Sequence, residues 1–342
     1  MKIFFLPILY PLSLIYRAVI ALRNLFFDLG IFSQNRVDAT VISVGNLSVG
    51  GTGKTPLILY LIDLLSLSEN KIAVLTRGYG RSSSSPKLYL PSEELSDWKD
   101  SGDEPFLLKK RVENLTISVD SKRIRGAAEA IEKAGSELIL LDDGFQHRTI
   151  KRDLDIVIVE DTKNFKNRLL IPAGRLREPL KSLGRADIVV FMGRETDSAA
   201  VHKYLNSETV LCGGLKEPDA LFKLNSHKKL DLSELSGKKL TAFCGIGNPD
   251  GFRSTLNSFN PALLELLEFP DHHNYTLSDL EKIRNNYISS NSNFLITTEK
   301  DSFKLPSDFF SEIDLYFLRI AFKITWGKDK FDKKVNEVIL SE

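Results

Sequence analysis

The chain has 342 residues, 42% hydrophobic and 27% charged, which is enough for two modest domains with apolar cores. Its 46 Lys and Arg nearly cancel 45 Asp and Glu, so a formal charge of +1 gives no overall field pointing to nucleic acid, and any anion site must be a local cluster. Two cysteines, Cys212 and Cys244, form no CxxC pair, which argues against a structural zinc site or a disulfide framework and fits a reducing cytoplasm.

Residues 1–30 stand apart. Ile3 to Tyr16 (IFFLPILYPLSLIY) carries no charge, and Arg17 and Arg23 interrupt the apolar stretch that follows. A spanning helix needs about 20 apolar residues. The segment is marginal for that, and Pro7 and Pro11 are expected to disturb a regular helix. No small-residue cleavage site marks it as a secretory signal. It reads either as an amphipathic helix packed on the protein or, the preferred reading, as a segment inserted in one leaflet with Arg17 and Arg23 reaching lipid headgroups. Lys2, Arg17, Arg23 and Arg36 favour the cytoplasmic side.

From Ala39 strands alternate with helices. ATVISVGN, KIAVLTRG, LTISVD, ELILLD, LDIVIVE and ADIVVFM are candidate strands, several of them continuous apolar runs suited to a parallel sheet buried on both faces. SKRIRGAAEAIEKAG reads as a crossover helix, so the series to about Met192 predicts a doubly wound, mainly parallel α/β sheet. The serine run Ser82–Ser85 and the polar stretch Pro86–Ser101 predict a mobile surface loop. A boundary is expected near Cys212-Gly213-Gly214, giving one domain over 31–212 and a smaller α/β domain over 213–342. In the latter KLTAFCG, ALLELLEF and NFLITT are strand-like, and TLSDLEKIRNNY is helical. No repeat of solenoid period is present.

The strongest chemical signal is Gly50-Gly51-Thr52-Gly53-Lys54-Thr55-Pro56, between the strand VISVGN and the helical pattern LILYLIDLL. Strand, glycine-rich loop, Lys-Thr and helix is the context of a phosphate loop. Its backbone N–H groups, from Ser48 and Val49 through Thr55, would face phosphate oxygens at a helix N-terminus. Lys54 would reach the β- and γ-phosphates of ATP, and the Thr55 hydroxyl would bind Mg2+. Ser48 occupies the place of the motif's first glycine. An ordinary strand-to-helix turn is the alternative. Downstream, the apolar strand Leu138–Leu141 ends in Asp142 and Asp143, as the magnesium carboxylate of a P-loop NTPase would; a capping aspartate is the plain alternative. Gln146 and His147 follow at the carboxyl edge of the sheet, where such folds bind ligands.

Basic residues cluster after strands: Arg77 and Arg81; Lys122, Arg123 and Arg125; Arg168, Arg175 and Arg177. Singly these are solvated surface, but together they could surround a phosphorylated substrate. Asp271-His272-His273 has no accompanying ligand group, and such a pair is more often structural than metal-binding.

SVGNLSVGGTGKTP, LTRGYGR, SGDEP, ILLDDGFQHRTIKRDLDIV, IPAGRLREPL, FCGIGNPDGF, FPDHHNY and TTEKDSFK together resemble the lipid A 4′-kinase (tetraacyldisaccharide 4′-kinase) family over almost the whole chain. DDGFQHR with this phosphate loop is the specific part, GIGNP and TEKD are supporting, and Ser48 is ordinary for that family. The resemblance implies transfer of the ATP γ-phosphate to the 4′-hydroxyl of a tetraacylated glucosamine disaccharide 1-phosphate. It implies two domains on the cytoplasmic face of the bacterial inner membrane. Lys54 and Thr55 match the nucleotide and magnesium residues, Asp103 and Glu104 the acidic catalytic pair, and Asp142, Asp143, Gln146 and His147 the DDGFQH site. Arg123 and Arg177 match active-site arginines, and His272 rather than His273 matches the family's histidine. An isolated Asp, pKa about 3.9, is a weak base. A histidine brought close when the domains meet would orient it, so Asp103 is assigned as base and His272 as its partner. The acylated disaccharide lipid and a bilayer surface are the expected partners, and a monomer is expected.

Two other classes compete. A soluble-metabolite P-loop kinase leaves the apolar N-terminus without purpose. A switch GTPase or metal-insertion chaperone needs an NKxD segment, and Thr298-Glu299-Lys300-Asp301 has Lys and Asp adjacent instead.

Overall fold

The computed structural model describes residues 6–50, 53–65, 71–78, 81, 83–95, 97–160, 169–193, 199–226, 228–306, 308–310 and 312–340. Lys2, Gly51, Thr52, Ser82 and Arg168, singled out above, lie outside the described residues. The elements run α1 (Leu6–Asp28), β1 (Thr40–Asn46), α2 (Lys54–Leu65), β2 (Ile72–Thr76), β3 (Lys87–Tyr89), α3 (Trp98–Ser101), α4 (Asp103–Arg111), β4 (Thr116–Val119), α5 (Arg123–Ala134), β5 (Leu138–Asp142), β6 (Leu154–Glu160) and β7 (Ile188–Met192). They continue as α6 (Ala199–His202), β8 (Val210–Lys223), β9 (Lys229–Leu230), β10 (Lys239–Cys244), α7 (Pro249–Asn257), β11 (Leu263–Glu268), α8 (Leu277–Ser289), β12 (Phe294–Thr298), α9 (Glu299–Ser302), β13 (Leu315–Trp326) and α10 (Lys328–Leu340).

All the strands join one sheet in the order β11-β10-β12-β13-β8-β7-β6-β1-β5-β2-β4-β3, with β9 beside β8. From β8 to β4 every pair is parallel, and every residue of β1, β2, β4 and β5 is buried, which is why these strands are apolar without alternation. β11, β10, β12 and β13 form a second parallel block. The two blocks are joined by the long antiparallel pair β8–β13, from Tyr316 opposite Lys223 to Trp326 opposite Gly213. β7 pairs with the first residues of β8, and β12 with the first residues of β13. Because those two strands run in opposite directions, the carboxyl rims of both blocks point toward the middle of the ribbon and so toward each other.

Cys212-Gly213-Gly214 lies inside β8. The glycines there serve close packing: a Cβ on Gly213 would stand 2.1 Å from the Trp326 indole nitrogen, and one on Gly214 2.5 Å from the Phe322 ring. α10 returns to the first block, where Phe331 and Val335 share a core with Leu57 and Ile58 of α2. The stretch expected as irregular loop, Pro86–Ser101, contains β3 and α3. β3 pairs antiparallel with β4 at the sheet edge, where backbone bonding rather than an apolar pattern defines a strand.

α1 corrects two expectations. It runs unbroken through Pro11, because Pro7 sits in the first turn, where N–H groups lack partners anyway, and Pro11 forfeits only one bond near that end. Arg23 turns inward and donates to the Gln146 carbonyl at 2.6 Å, while Arg17 is exposed. Along the same face Ser13 donates to the Leu170 carbonyl, Tyr16 to the Arg177 carbonyl and Asn24 to Glu178. The opposite face leaves Ile8 66% and Ile15 62% exposed. This inverts the arrangement of an ordinary surface helix, whose apolar face turns inward.

Candidate active site

β1 ends at Asn46, and the chain crosses to α2 through a loop framed by residues 175–177. Ser48 bridges Leu176, the Val49 N–H donates to the Arg175 carbonyl at 2.9 Å, and the Arg175 guanidinium donates back to the Val49 carbonyl at 3.0 Å. Gly50 (φ 129°) and Gly53 (φ 88°) adopt backbone that a Cβ would strain. Lys54 and the buried Thr55 open α2. Lys54 Nζ pairs with Asp143 Oδ1 at 3.2 Å.

Asp142 and Asp143 arrive on the neighbouring strand. The Thr76 hydroxyl donates to Asp142 Oδ2 at 3.0 Å, while Asp142 Oδ1 is buried with no hydrogen-bond partner. Burial, with the nearby Glu104 carboxylate, pushes the Asp142 carboxyl up to about 7. Asp143 goes the other way. Burial raises it, but Lys54 and then Arg177, 2.5 Å from its Oδ2, outweigh burial and hold it below the usual carboxylate range. Thr55 follows Lys54, which pairs with Asp143, so one hydroxyl and two carboxylates lie at the ends of adjoining elements. Among the described residues no three or more His, Cys, Asp or Glu side chains converge as a complete metal site. One or two carboxylates completed by substrate phosphates and water suit Mg2+, and the orphaned Asp142 oxygen is a vacant donor of the right kind.

The segment after Asp143 folds back over β1. The Gln146 amide donates to the Asn46 carbonyl at 3.0 Å, leaving its Oε1 buried and unbonded. Burial and then the nearby Arg123 charge lower the His147 pKa to about 4, so its ring is neutral at physiological pH. Arg123 is itself buried, donating to the Asp120 and Asp142 carbonyls. Arg77 is exposed at the end of β2, near enough for its charge to act on Arg123 and His147. The expected basic surround is thus partial. Arg77, Arg123 and Arg177 gather near Asp142–Asp143, whereas Arg81 closes its own loop on the Ser84 and Ser85 carbonyls and Arg125 pairs with Asp120.

Asp103 and Glu104 begin α4 after Gly102 (φ 98°) and face the second block. His272 Nδ1 lies 2.8 Å from Asp103 Oδ2, and Lys304 Nζ lies 2.8 Å from the same oxygen. Burial raises the Asp103 pKa, but the His272 bond and the Lys304 ammonium together outweigh it and hold the carboxylate below its usual range. The bond to Asp103 in turn raises His272 above the ordinary histidine value. His272 holds a left-handed backbone (φ 59°) with its N–H on the Gly245 carbonyl, and so points away from its neighbour. His273 instead pairs with Asp279 at 3.1 Å and stacks on Phe269, a packing role.

The lysines of TTEKDSFK join the two acids of SGDEP. Lys300 pairs with Glu104 at 2.9 Å and Lys304 with Asp103. The signal was their four-residue spacing beside two acids in SGDEP, but nothing local joins the two segments. Every member of the guanine-like tetrad is otherwise engaged. Glu299 is held by Arg111 and Arg319, Lys300 by Glu104, and Asp301 by the Gly245 N–H and the Thr298 hydroxyl.

Comparison with known proteins agrees with this geometry. The family model for tetraacyldisaccharide-1-P 4′-kinase, LpxK, matches residues 5–340. The tetraacyldisaccharide 4′-kinase of Syntrophus aciditrophicus (strain SB) is 39% identical over 319 residues, covering 88% of this chain and 84% of that one. The enzyme of the same name from Halothermothrix orenii is 36% identical over 342 residues, covering 93% and 88%. The crystal structure of an "apo" form of LpxK from Aquifex aeolicus in complex with ATP superposes with a TM-score of 0.77 at 30% identity, over 96% of this chain and 98% of that one. By sequence along nearly its whole length and by fold, the chain belongs to the tetraacyldisaccharide-1-P 4′-kinase family.

Proposed function

We propose that this protein transfers the γ-phosphate of ATP to the 4′-hydroxyl of a tetraacylated glucosamine disaccharide 1-phosphate, a late step of lipid A biosynthesis. The observation that carries the reading is the meeting of two rims. Asp103, bonded to His272, stands beside Glu104, which lies close enough to feel the charges of Lys54 and Asp143. A proton acceptor thereby adjoins a phosphate loop, as phosphoryl transfer to an alcohol requires.

In this reading Lys54 exchanges Asp143 for the β- and γ-phosphates, and backbone N–H groups from Ser48 to Thr55 cradle them. Thr55, Asp142 and Asp143 would hold Mg2+, which when bound neutralises charge on the phosphates. Asp103 accepts the hydroxyl proton and His272 orients it. Arg77, Glu104, Arg123, Gln146, His147 and Arg177 bind the sugar and its phosphate; Lys54 and Arg177 already share Asp143. The chain works as two lobes divided near 212/213, with the ribbon β8–β13 between them.

We place α1 on the cytoplasmic face of the inner membrane, lying in one leaflet. Its bonds from Ser13, Tyr16, Arg23 and Asn24 to the first lobe hold one face along its length, and its other face is apolar. A helix crossing the bilayer would have to give up those bonds. Acyl chains can then stay in the bilayer while the sugar enters the cleft. The test is transfer of labelled γ-phosphate from ATP to purified disaccharide lipid in detergent, against soluble sugars. Label appearing only on soluble sugars would refute the assignment.

A further inference from the structure

The inward face of α1 is polar, and its bonds fall on segments that carry site residues. Arg23 donates to the Gln146 carbonyl at 2.6 Å, and Tyr16 to the Arg177 carbonyl at 3.0 Å. Asn24 donates to the neighbouring Glu178 carboxylate, which is fully buried, at 2.9 Å. Holding a helix in a leaflet needs only its apolar face. Setting a guanidinium against the protein instead costs solvation, and burial accordingly lowers the Arg23 pKa.

Gln146 and Arg177 are also bonded to the strand end that opens the phosphate loop. The Gln146 amide donates to the Asn46 carbonyl at 3.0 Å, and the Arg177 N–H donates to the Leu47 carbonyl at 2.6 Å. The turn before Gln146 lies hard against β1, since a Cβ on Gly45 would stand 2.5 Å from Phe145 Cβ. Gln146 is thereby held at its carbonyl and at its amide nitrogen, while its Oε1 is a buried acceptor without a hydrogen-bond partner. Arg177 is held at its N–H and its carbonyl, while its guanidinium pairs with Asp143. In each residue the main chain is bonded to α1, and the side chain stands in the site.

We propose that Arg23 and Tyr16 are positioning residues for phosphoryl transfer: Arg23 sets the Gln146 side chain, and Tyr16 the Arg177 guanidinium, so that α1 is part of the framework of the site as well as its contact with lipid. This deepens the function proposed above and rests on it. In that reading Gln146 Oε1 accepts from a hydroxyl of the sugar and helps to align the attacking oxygen with the γ-phosphorus. A displacement of about 1 Å in such a group can cost as much as about 100-fold in rate. An arginine suits the task because its planar fork bonds the carbonyl while it lies over the Phe27 ring, 5.3 Å from the centroid.

The test measures kcat and KM with ATP and disaccharide lipid in detergent, and separately binding to phosphatidylethanolamine–phosphatidylglycerol liposomes. The variants are R23M, R23K, Y16F, Q146A and R23M/Q146A. R23M should lower kcat at saturating substrates about tenfold, with R23K recovering part of the loss and Y16F losing about threefold. Liposome binding by R23M should stay within about twofold of wild type, because the exposed face of α1 with Ile8 and Ile15 is unchanged. A helix that serves only as an anchor predicts wild-type kcat for R23M at saturating lipid, and that result would overturn the proposal. In the Q146A background R23M should cost less than about twofold more, and a fully multiplied loss there would overturn it too. Met keeps the length of the side chain and removes a charge that Arg148 and Arg185 oppose, so R23M should fold. Y16F removes a single hydroxyl and repeats the comparison independently, with wild-type kcat again the refuting result. Wild-type kinetics in Q146A would remove Gln146 from the site and the proposal with it. A wild-type protein that transfers no label to the lipid would instead fail the functional reading itself.

Discussion

Replacing His272 by Ala removes one of the two partners of Asp103 Oδ2 and leaves the Lys304 ammonium in place. The carboxylate should therefore remain ionised but lose its orientation. A hydrogen bond to a charged group contributes about 1.5–3 kcal/mol, and each 1.4 kcal/mol is about tenfold in rate. H272A should thus lower kcat about 10- to 100-fold, with a smaller change in ATP affinity. D103A removes the proton acceptor and should cost about 10²–10⁴. If the two act as one unit, the double variant should be little worse than D103A, because a disabled unit cannot be disabled again. H273A is the control: its ring is committed to Asp279 and Phe269, away from Asp103, so turnover should change little. The assay is turnover of the variants at saturating ATP and lipid. Multiplied losses in the double variant, or an H273A effect larger than that of H272A, would refute the pairing.

Other consequences are equally direct. K54A should remain folded and lose nearly all turnover, since its ammonium acts where transition-state charge develops; near-normal activity would exclude the phosphate-loop role. Deleting residues 1–27 should weaken lipid phosphorylation, while I8E/I15E, on the exposed face of α1, should reduce liposome binding and leave the helix docked through Arg23; undiminished binding would exclude the leaflet role. The raised His272 pKa carries a sign. Its stabilisation is fully present below the unfolded histidine pKa of about 6.5 and is lost as pH rises through the folded value. D103N should return the His272 titration, followed by NMR, toward lower pH and flatten that part of the stability profile; an unshifted titration would contradict the bond.

The elements legible in the sequence are those whose cause is local. β1, β2, β4, β5, β6 and β7 appear as apolar runs because strands buried on both faces of a parallel sheet need no polar residues. The phosphate loop and Asp142–Asp143 are likewise local, being turns at the carboxyl ends of adjacent strands. β13 was less legible: LYFLRIAFKITW mixes charges among apolar residues, because half of it lies between two strands and half at the ribbon. Gly213 and Gly214 read as a break, but they mark where the Trp326 and Phe322 rings approach the backbone. Arg23 read as a headgroup ligand, since a lone basic residue on an apolar helix does not reveal which way the helix docks.

The sequence by itself determined the α/β class, the nucleotide loop, the acidic strand end and an apolar amphiphile at the start of the chain. The family resemblance paired Asp103 with His272, but only the tertiary structure brought the two into contact and set Lys304 beside them. From Asp103, His272 and Lys304 lie 169 and 201 positions away along the chain, in the other parallel block. No periodicity or spacing links residues so far apart. They meet because the antiparallel ribbon turns two carboxyl rims toward each other, and a buried carboxylate at that junction must find cations to stay charged.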